Sequence, residues 1–146
     1  MVTSSKSSRR GLSYAYPRKV KSLKQTYTIK SPISKVWQAL TDPKIIDAWG
    51  GGPAKMQAKI GFKFSLWGGD ITGTNTKVVP EKLLVQDWMS GKWDEFSKLE
   101  FRLSEKSGIT TVILTQSNIP DSELADISEG WKVYYLGKIK KLLENS

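Results

Sequence analysis

The chain has 146 residues, of which 38% are hydrophobic and 10% aromatic, a composition typical of one globular domain with a real core. It contains no cysteine and no histidine. Their absence excludes disulfides, thiol chemistry, Ser-His and Cys-His nucleophile pairs and most metal sites. No run of about 18 apolar residues is present, so we expect no insertion into a membrane.

The formal net charge of +9 belongs mainly to the start of the chain. Seven basic residues and no acidic residue precede Gln25, which leaves 16 basic and 14 acidic residues in the remainder. Residues 1–21 are rich in Ser, Lys and Arg and show no hydrophobic period, so we predict a disordered basic arm. Because such an arm binds polyanions without sequence preference, we expect no specific nucleic-acid partner.

The arm has no apolar segment of the kind found in secretory signals, so we expect a cytoplasmic protein. An organellar transit peptide is the alternative, since an Arg- and Ser-rich start without acidic residues is typical of that class. Residues 22–146 are predicted to form a single domain.

Period-two alternation begins at Leu23 and predicts a first strand up to Lys30. Two short helices are predicted to follow it. Ser31-Pro32 is a start signal for the first helix, with Ser31 as the N-cap, and Asp42-Pro43 is the same signal for the second. The glycines from Gly50 to Gly52 are predicted to end the second helix.

The segment between the short helices and Pro120 consists of alternating runs separated by turns, which predicts antiparallel sheet. Together with the first strand, these runs give a predicted total of about seven strands. The six runs lie near 55–60, 62–66, 70–79, 83–89, 99–103 and 109–116.

From Pro120 to Leu143 apolar residues recur every three or four positions, which predicts one long amphipathic helix capped by Asp121 or Ser122. Gly130 and Gly137 interrupt it, either because packing tolerates them or because another backbone crosses closely there. The predicted buried stripe is Leu124, Ile127, Trp131, Tyr135, Ile139 and Leu142.

An antiparallel sheet needs one face covered, and the terminal helix is the one predicted element long enough to cover it. The sheet is therefore expected to curl around this helix. The predicted fold is α+β: a curved antiparallel sheet of about seven strands that grips a long C-terminal helix, with two short helices after the first strand.

Several short segments, taken together with their order and spacing along the chain, resemble a known family over residues 27–143, which is nearly the whole domain. The resemblance is to the C-terminal domain of the activator of Hsp90 ATPase, a branch of the START-like, pollen-allergen-like helix-grip superfamily. It implies the helix-grip fold and an Hsp90-type chaperone as a partner. The co-chaperone also has a separate N-terminal domain, where this chain has a short arm. The matching segments are Asn118-Ile119-Pro120, Glu129-Gly130-Trp131-Lys132-Val133-Tyr134-Tyr135, Lys138-Ile139-Lys140, Val36 to Pro43, Gly61 to Phe64 and Val78 to Leu83.

No catalytic arrangement is found in the sequence. Asp42 and Asp47 are explained as a cap and a solvated face, Asp70 as a turn residue, and Asp94-Glu95 as surface. The glycine clusters lack the Lys-Ser/Thr of a phosphate loop. We therefore predict a protein that is not an enzyme and that needs neither cofactor nor metal.

Two functions remain. The first is a non-catalytic module that binds a hydrophobic small molecule between the sheet and the terminal helix. The alternative is a co-chaperone that binds Hsp90 and stimulates its ATPase. For the first function, Gln116, Tyr134 and Tyr135 are candidate polar anchors. The predicted wall is Trp37, Phe64, Leu66, Trp88, Phe101, Leu114, Trp131 and Tyr135.

Overall fold

Six strands form one antiparallel sheet in the computed structural model, which describes residues 20–91 and 93–145. The order across the sheet is β1-β6-β5-β4-β3-β2, so β2 to β6 form a meander and β1 pairs with the last strand. Residues 1–19 of the predicted arm (1–21) lie outside the described residues, and its last two residues, Val20 and Lys21, begin the first strand instead. The strands are β1 (Val20–Ile29), β2 (Lys63–Leu66), β3 (Ile71–Val79), β4 (Leu83–Ser90), β5 (Ser97–Lys106) and β6 (Ile109–Pro120).

The sheet differs from the prediction at two places. Near 55–60 the described chain makes an isolated bridge between Lys55 and Ser65 instead of a seventh strand. The side-chain amide of Asn75 donates to the carbonyls of Gln57 and Lys59, at 2.8 and 3.2 Å. These side-chain hydrogen bonds stand in place of the backbone hydrogen bonds that a seventh strand would make. In addition, β1 begins at Val20, because a bulge between residues 21 and 23 breaks the alternation while pairing with β6 continues.

The two short helices are α1 (Ile33–Thr41) and α2 (Pro43–Trp49). The predicted cap at Asp42 is confirmed, since its Oδ1 accepts from the Lys44 N–H at 2.9 Å. The predicted cap by Ser31 is wrong. The N-cap of α1 is Pro32, and the Ile33 N–H donates to Oε1 of Glu105 on β5 at 2.8 Å. A distant carboxylate therefore replaces the local cap.

The terminal helix, residues 121–144, is continuous but not regular. A 3-10 turn (Asp121–Glu123) leads into α3 (Leu124–Gly130), a π-helical turn (Trp131–Tyr135) and α4 (Leu136–Glu144). Neither predicted cap forms, because Pro120 is the N-cap and no side chain bonds to the first turn. The π turn inserts an extra residue into the helical repeat. As a result, Leu136 is buried in addition to Tyr135, which belongs to the predicted buried stripe.

The two interior glycines have different surroundings, and neither contacts a crossing backbone. At Gly130 a Cβ would meet open space. At Gly137 a Cβ would overlap the carbonyl of Lys132, five residues earlier in the same helix. The close backbone at Gly137 is therefore the helix itself, brought near by the π turn.

The terminal helix covers the concave face of the sheet and also the outer edge of β1. The Gln25 side-chain amide donates to the Ser128 carbonyl at 3.0 Å, and the Lys30 N–H donates to Oε2 of Glu144 at 2.9 Å. Lys140 donates to the carbonyl of Thr28. The last two bonds take up backbone groups at the end of an edge that would otherwise be open to pairing with another chain. The α+β helix-grip fold is confirmed.

Candidate functional site

Tyr135, in the π turn, is at the centre of a cluster of aromatic rings in the core. Its neighbours come from α2, from the turn after β2, from β4 and β5, and from the terminal helix itself. The ring centroids lie 4.6 Å away for Trp49, 4.7 Å for Trp131, 5.8 Å for Trp88, 5.9 Å for Phe101 and 6.1 Å for Trp67.

A pocket of about 260 Å³ opens beside this cluster, between the first half of the terminal helix and the sheet. Four of its walls are indole rings, and no charged residue lines it. Its lining residues are Trp67, Ile71, Trp88, Trp93, Gln116, Ile127, Gly130, Trp131, Tyr134 and Tyr135.

All four indole N–H groups of the pocket have acceptors within the protein. Trp67 donates to the Gly50 carbonyl at 2.8 Å, and Trp88 donates to Oε1 of Gln86 at 2.7 Å. Trp93 donates to Oε1 of Glu123 at 2.9 Å, and Trp131 donates to Oε1 of Gln116 at 2.8 Å. The indoles therefore present apolar ring surface to the pocket and have no donor left to offer.

Two buried glutamines hold the indoles of Trp88 and Trp131. The Gln116 amide donates to Oγ of Ser97 at 2.9 Å, and the Gln86 amide donates to Oδ1 of Asn75 at 2.9 Å. Because both ends of each glutamine amide are bonded, the two rings are fixed at a centroid distance of 5.0 Å and an angle of 34°.

Trp67 is held in an unusual backbone conformation at the other side of the pocket. Its φ is +48°, a left-handed conformation that costs a bulky residue about 1–3 kcal/mol. Its backbone N–H donates to the Gly51 carbonyl at 2.8 Å, in addition to the indole bond to Gly50. Both bonds go to the loop after α2, and they place the indole next to Tyr135.

The Tyr135 hydroxyl is the exception among these satisfied polar groups. Of the described residues, it carries the one buried side-chain oxygen or nitrogen without a hydrogen-bond partner. Burial raises the pKa of this hydroxyl far above its ordinary value, so it stays protonated and able to donate at neutral pH.

The pocket falls within the part of the chain that matches known proteins. A family model described as "Activator of Hsp90 ATPase homolog 1-like protein" matches residues 30–144. The chain belongs to this family. Every residue that lines the pocket lies inside the family's domain.

Relatives and solved structures agree with this assignment. The human activator of 90 kDa heat shock protein ATPase homolog 1 is 31% identical over 121 residues, which are 82% of this chain and 35% of the human protein. The Dictyostelium discoideum homologue is 34% identical over 83 residues, 55% of this chain and 22% of that protein. The match to this chain therefore spans 35% of the length of the human relative and 22% of the length of the Dictyostelium relative.

Among solved structures, an HSP90 activator from Plasmodium falciparum is 28% identical with a TM-score of 0.78, covering 84% of this chain and 95% of that one. The Aha1 dimer from Colwellia psychrerythraea is 24% identical with a TM-score of 0.72, covering 85% of this chain and 96% of that one. The second likeness shows the fold alone.

Five of the predicted site residues line the pocket of this family member: Trp88, Gln116, Trp131, Tyr134 and Tyr135. The other five are buried in the core and are not among its lining residues: Trp37, Phe64, Leu66, Phe101 and Leu114. Of the candidate anchors, Gln116 is already bonded at both ends, and Tyr134 is 62% exposed. The pocket thus lies at one end of the grip, because interlocking rings fill the middle.

The sequence reasoning missed five lining residues: Trp67, Ile71, Trp93, Ile127 and Gly130. Ile127 was on the predicted stripe, Trp67 directly precedes the glycine pair Gly68-Gly69, and Trp93 directly precedes the predicted surface pair Asp94-Glu95. A large aromatic residue in a polar turn was the available signal. In residues 20–91 and 93–145, no cluster of His, Cys, Asp or Glu could hold a metal, and no helix is long and apolar enough to cross a membrane.

Proposed function

We propose that this member of the activator of Hsp90 ATPase family is a non-catalytic module that holds a hydrophobic small molecule between its sheet and its terminal helix. The observation that supports the proposal is the pocket of about 260 Å³, which four indoles wall and no charged residue lines. Small-molecule sites are typically concave and mostly apolar, with few polar groups.

The state of the indole N–H groups adds to this support. A Trp ring at a surface normally brings a donor that prefers water or a polar partner. Here all four donors bond to protein acceptors, so occupation of the pocket by an apolar molecule leaves none of them unpaired. Binding therefore removes apolar surface of both the ligand and the pocket from water, and no hydrogen bond of the protein is lost in exchange.

The test is a thermal-unfolding titration of the full chain with fluorene, an apolar tricyclic probe. Binding to the folded state alone should raise its stability by about 2.7 kcal/mol at a hundredfold excess of ligand over Kd. Ile127 lines the pocket, so Ile127→Trp should fill it and remove the stabilisation. Val133 is 44% exposed on the same helix and does not line the pocket, so Val133→Trp is the matched control. No stabilisation of the wild-type chain would refute the proposal.

A second candidate function is that of a co-chaperone that binds an Hsp90-type chaperone and stimulates its ATPase. The supporting observation is the likeness to proteins named for this activity, above all the Plasmodium falciparum HSP90 activator, 95% of which this chain covers. Because the chain spans 35% of the human relative, the activity of that whole protein is proposed here and not assumed.

The two candidates make different predictions in one experiment. The ATPase rate of a purified Hsp90 is measured with the wild-type chain and with Ile127→Trp. Stimulation by both chains, without stabilisation of the wild type by fluorene, would replace the ligand-binding proposal with the co-chaperone one. Under either candidate function, we propose the cytoplasmic location that the sequence led us to expect.

A further inference from the structure

We propose that a segment of the chain's own N-terminal arm, from Leu12 to Pro17, docks in the pocket and competes there with other ligands. The segment lies outside the described residues, and its sequence is Leu-Ser-Tyr-Ala-Tyr-Pro. The inference uses the same pocket as the proposed function, but it does not require that a small molecule binds there. It starts from the place where the arm joins the domain.

The arm joins the domain beside the first turn of the terminal helix. Val20, the first described residue, pairs with Pro120 at the end of β6, and the helix begins at the next residue, Asp121. In the same turn, Oε1 of Glu123 accepts the indole N–H of Trp93 at 2.9 Å, and Trp93 is a wall of the pocket. The arm therefore starts close to the pocket.

The arm is long enough to bring an aromatic side chain to this wall. From Val20 the path to Trp93 crosses one strand spacing of about 5 Å and the 3-10 turn (Asp121–Glu123), which rises about 2 Å per residue. An extended chain covers about 3.3 Å per residue, so Tyr16 can lie about 13 Å from Val20 and Tyr14 about 20 Å. Either tyrosine can therefore reach the pocket.

The charge of the arm is opposite to that of the helix beside the pocket. Residues 1–19 contain five basic residues and no acidic one. Residues 121–135, which include the helical wall of the pocket, contain four acidic residues and one basic residue. Nζ of Lys21 already lies 4.0 Å from Oδ1 of Asp121, where the arm meets the helix. Opposite charges within about 10 Å attract each other at moderate salt, so the arm is drawn toward this part of the helix.

The segment also fits the pocket in size and polarity. Apart from the first two residues of the chain, residues 12–16 hold all the hydrophobic side chains of the arm. Tyrosine rings stack on indoles or meet them edge to face. The pocket of about 260 Å³ is close to the lower limit of about 300 Å³ for small-molecule sites, which suits a side chain. Because the segment is tethered, its effective concentration is about millimolar and weak contacts are sufficient.

The first measurement uses the full chain with a nitroxide spin label at Gly11→Cys, which provides a single thiol because the chain has no cysteine. We expect the label to weaken the NMR signal of the Trp93 indole N–H. The loss of intensity should become smaller in Tyr14→Ser/Tyr16→Ser, where the label and the tether are unchanged. It should also become smaller in Ile127→Trp, which fills the pocket, and remain in Val133→Trp, which does not.

The second measurement is the affinity of the full chain for fluorene, followed by Trp fluorescence. If the segment occupies the pocket for about 90% of the time, Tyr14→Ser/Tyr16→Ser should bind fluorene about tenfold more tightly than the wild type. Val2→Ser removes an apolar side chain of the arm outside the segment and should leave the affinity unchanged.

The outcomes separate this inference from the proposed function. If the tyrosine variant changes neither the Trp93 signal nor the affinity for fluorene, the inference fails and the ligand-binding function stands. If the signal responds as expected and no chain binds fluorene, docking stands and the ligand-binding function fails. A response of the signal without a change in fluorene affinity would refute the competition. Loss of the Trp93 signal of an unlabelled chain, when it is mixed with a labelled chain, would refute docking within one chain in favour of a second copy.

Discussion

The indole N–H of Trp131 donates to Oε1 of Gln116 at 2.8 Å, and this bond joins the middle of the terminal helix to β6. Both side chains are buried, and Gln116 is bonded in turn to Ser97 on β5. In an apolar surrounding, a polar bond has few alternative partners, so it specifies one register of the helix on the sheet. Apolar contacts alone would specify that register less strictly.

Removal of the Trp131 side chain is expected to destabilise the domain strongly. Trp131 is 3% exposed, and its truncation leaves a cavity and an unpaired Gln116 oxygen. Trp131→Ala should lower the free energy of unfolding by about 3–5 kcal/mol in chemical denaturation. Val133→Ala, on the exposed side of the same turn, should change it by less than about 0.5 kcal/mol. A loss below about 1 kcal/mol for Trp131→Ala would contradict its burial.

The two glycines of the terminal helix should respond in opposite directions to the same substitution. Gly130→Ala meets open space and should stabilise the protein by up to about 1 kcal/mol, since alanine favours the helix. Gly137→Ala would overlap the Lys132 carbonyl in the π turn and should destabilise it by about 1–3 kcal/mol. Thermal unfolding of both variants measures this. Stabilisation by both substitutions would mean that the π turn is absent.

Tyr135 is expected to make the fold less stable at alkaline pH. Burial raises the pKa of its hydroxyl above the ordinary value of 10.0. Below the pKa of Tyr135 in the unfolded chain, both states keep the proton, and Tyr135 adds no pH dependence to the free energy of unfolding. Above that pKa, the unfolded chain ionises first. The free energy of unfolding should then fall by about 1.4 kcal/mol per pH unit for this group.

Comparison with Tyr135→Phe isolates this effect. Burial, and then the charge of Glu129, also raise the pKa of Tyr27, but Tyr27 is present in both proteins. The two proteins should therefore show parallel stability curves near about pH 8 and diverge above about pH 10. Parallel curves throughout would mean that the hydroxyl is solvated.

Removal of residues 1–19 tests the predicted basic arm. The deletion takes away five basic residues and no acidic one, and it leaves β1 complete. We expect retention on immobilised nucleic acid to fall markedly at low salt, because this binding depends on phosphate neutralisation. The midpoint of thermal unfolding should change by no more than a few degrees. A large loss of stability would show that the arm belongs to the domain.

Local sequence patterns were sufficient to predict most of the elements. Alternation located the strands from 62 to 116, and Asp42-Pro43 marked the start of α2. The apolar stripe predicted a helix from 120 to 143, close to its observed extent of residues 121–144. These patterns succeed because each of them is a direct result of burying one face of a strand or helix.

Local patterns were insufficient where a distant residue supplies the partner. The N-terminus of α1 is capped by Glu105, and the segment near 55–60 bonds to Asn75 instead of forming a strand. A sequence shows which residues are able to cap or pair. It does not show which of them the fold brings within hydrogen-bond distance.

The site depended most on the tertiary structure. The sequence determined that several large rings lie between the sheet and the helix, and five of the predicted residues line the pocket. Only the packed structure decided that Phe101 and Leu114 fill the core while Trp67 and Trp93 wall the pocket. The reason is that close packing depends on the shapes of side chains from many elements at once, and periodicity along one element carries no information about those shapes.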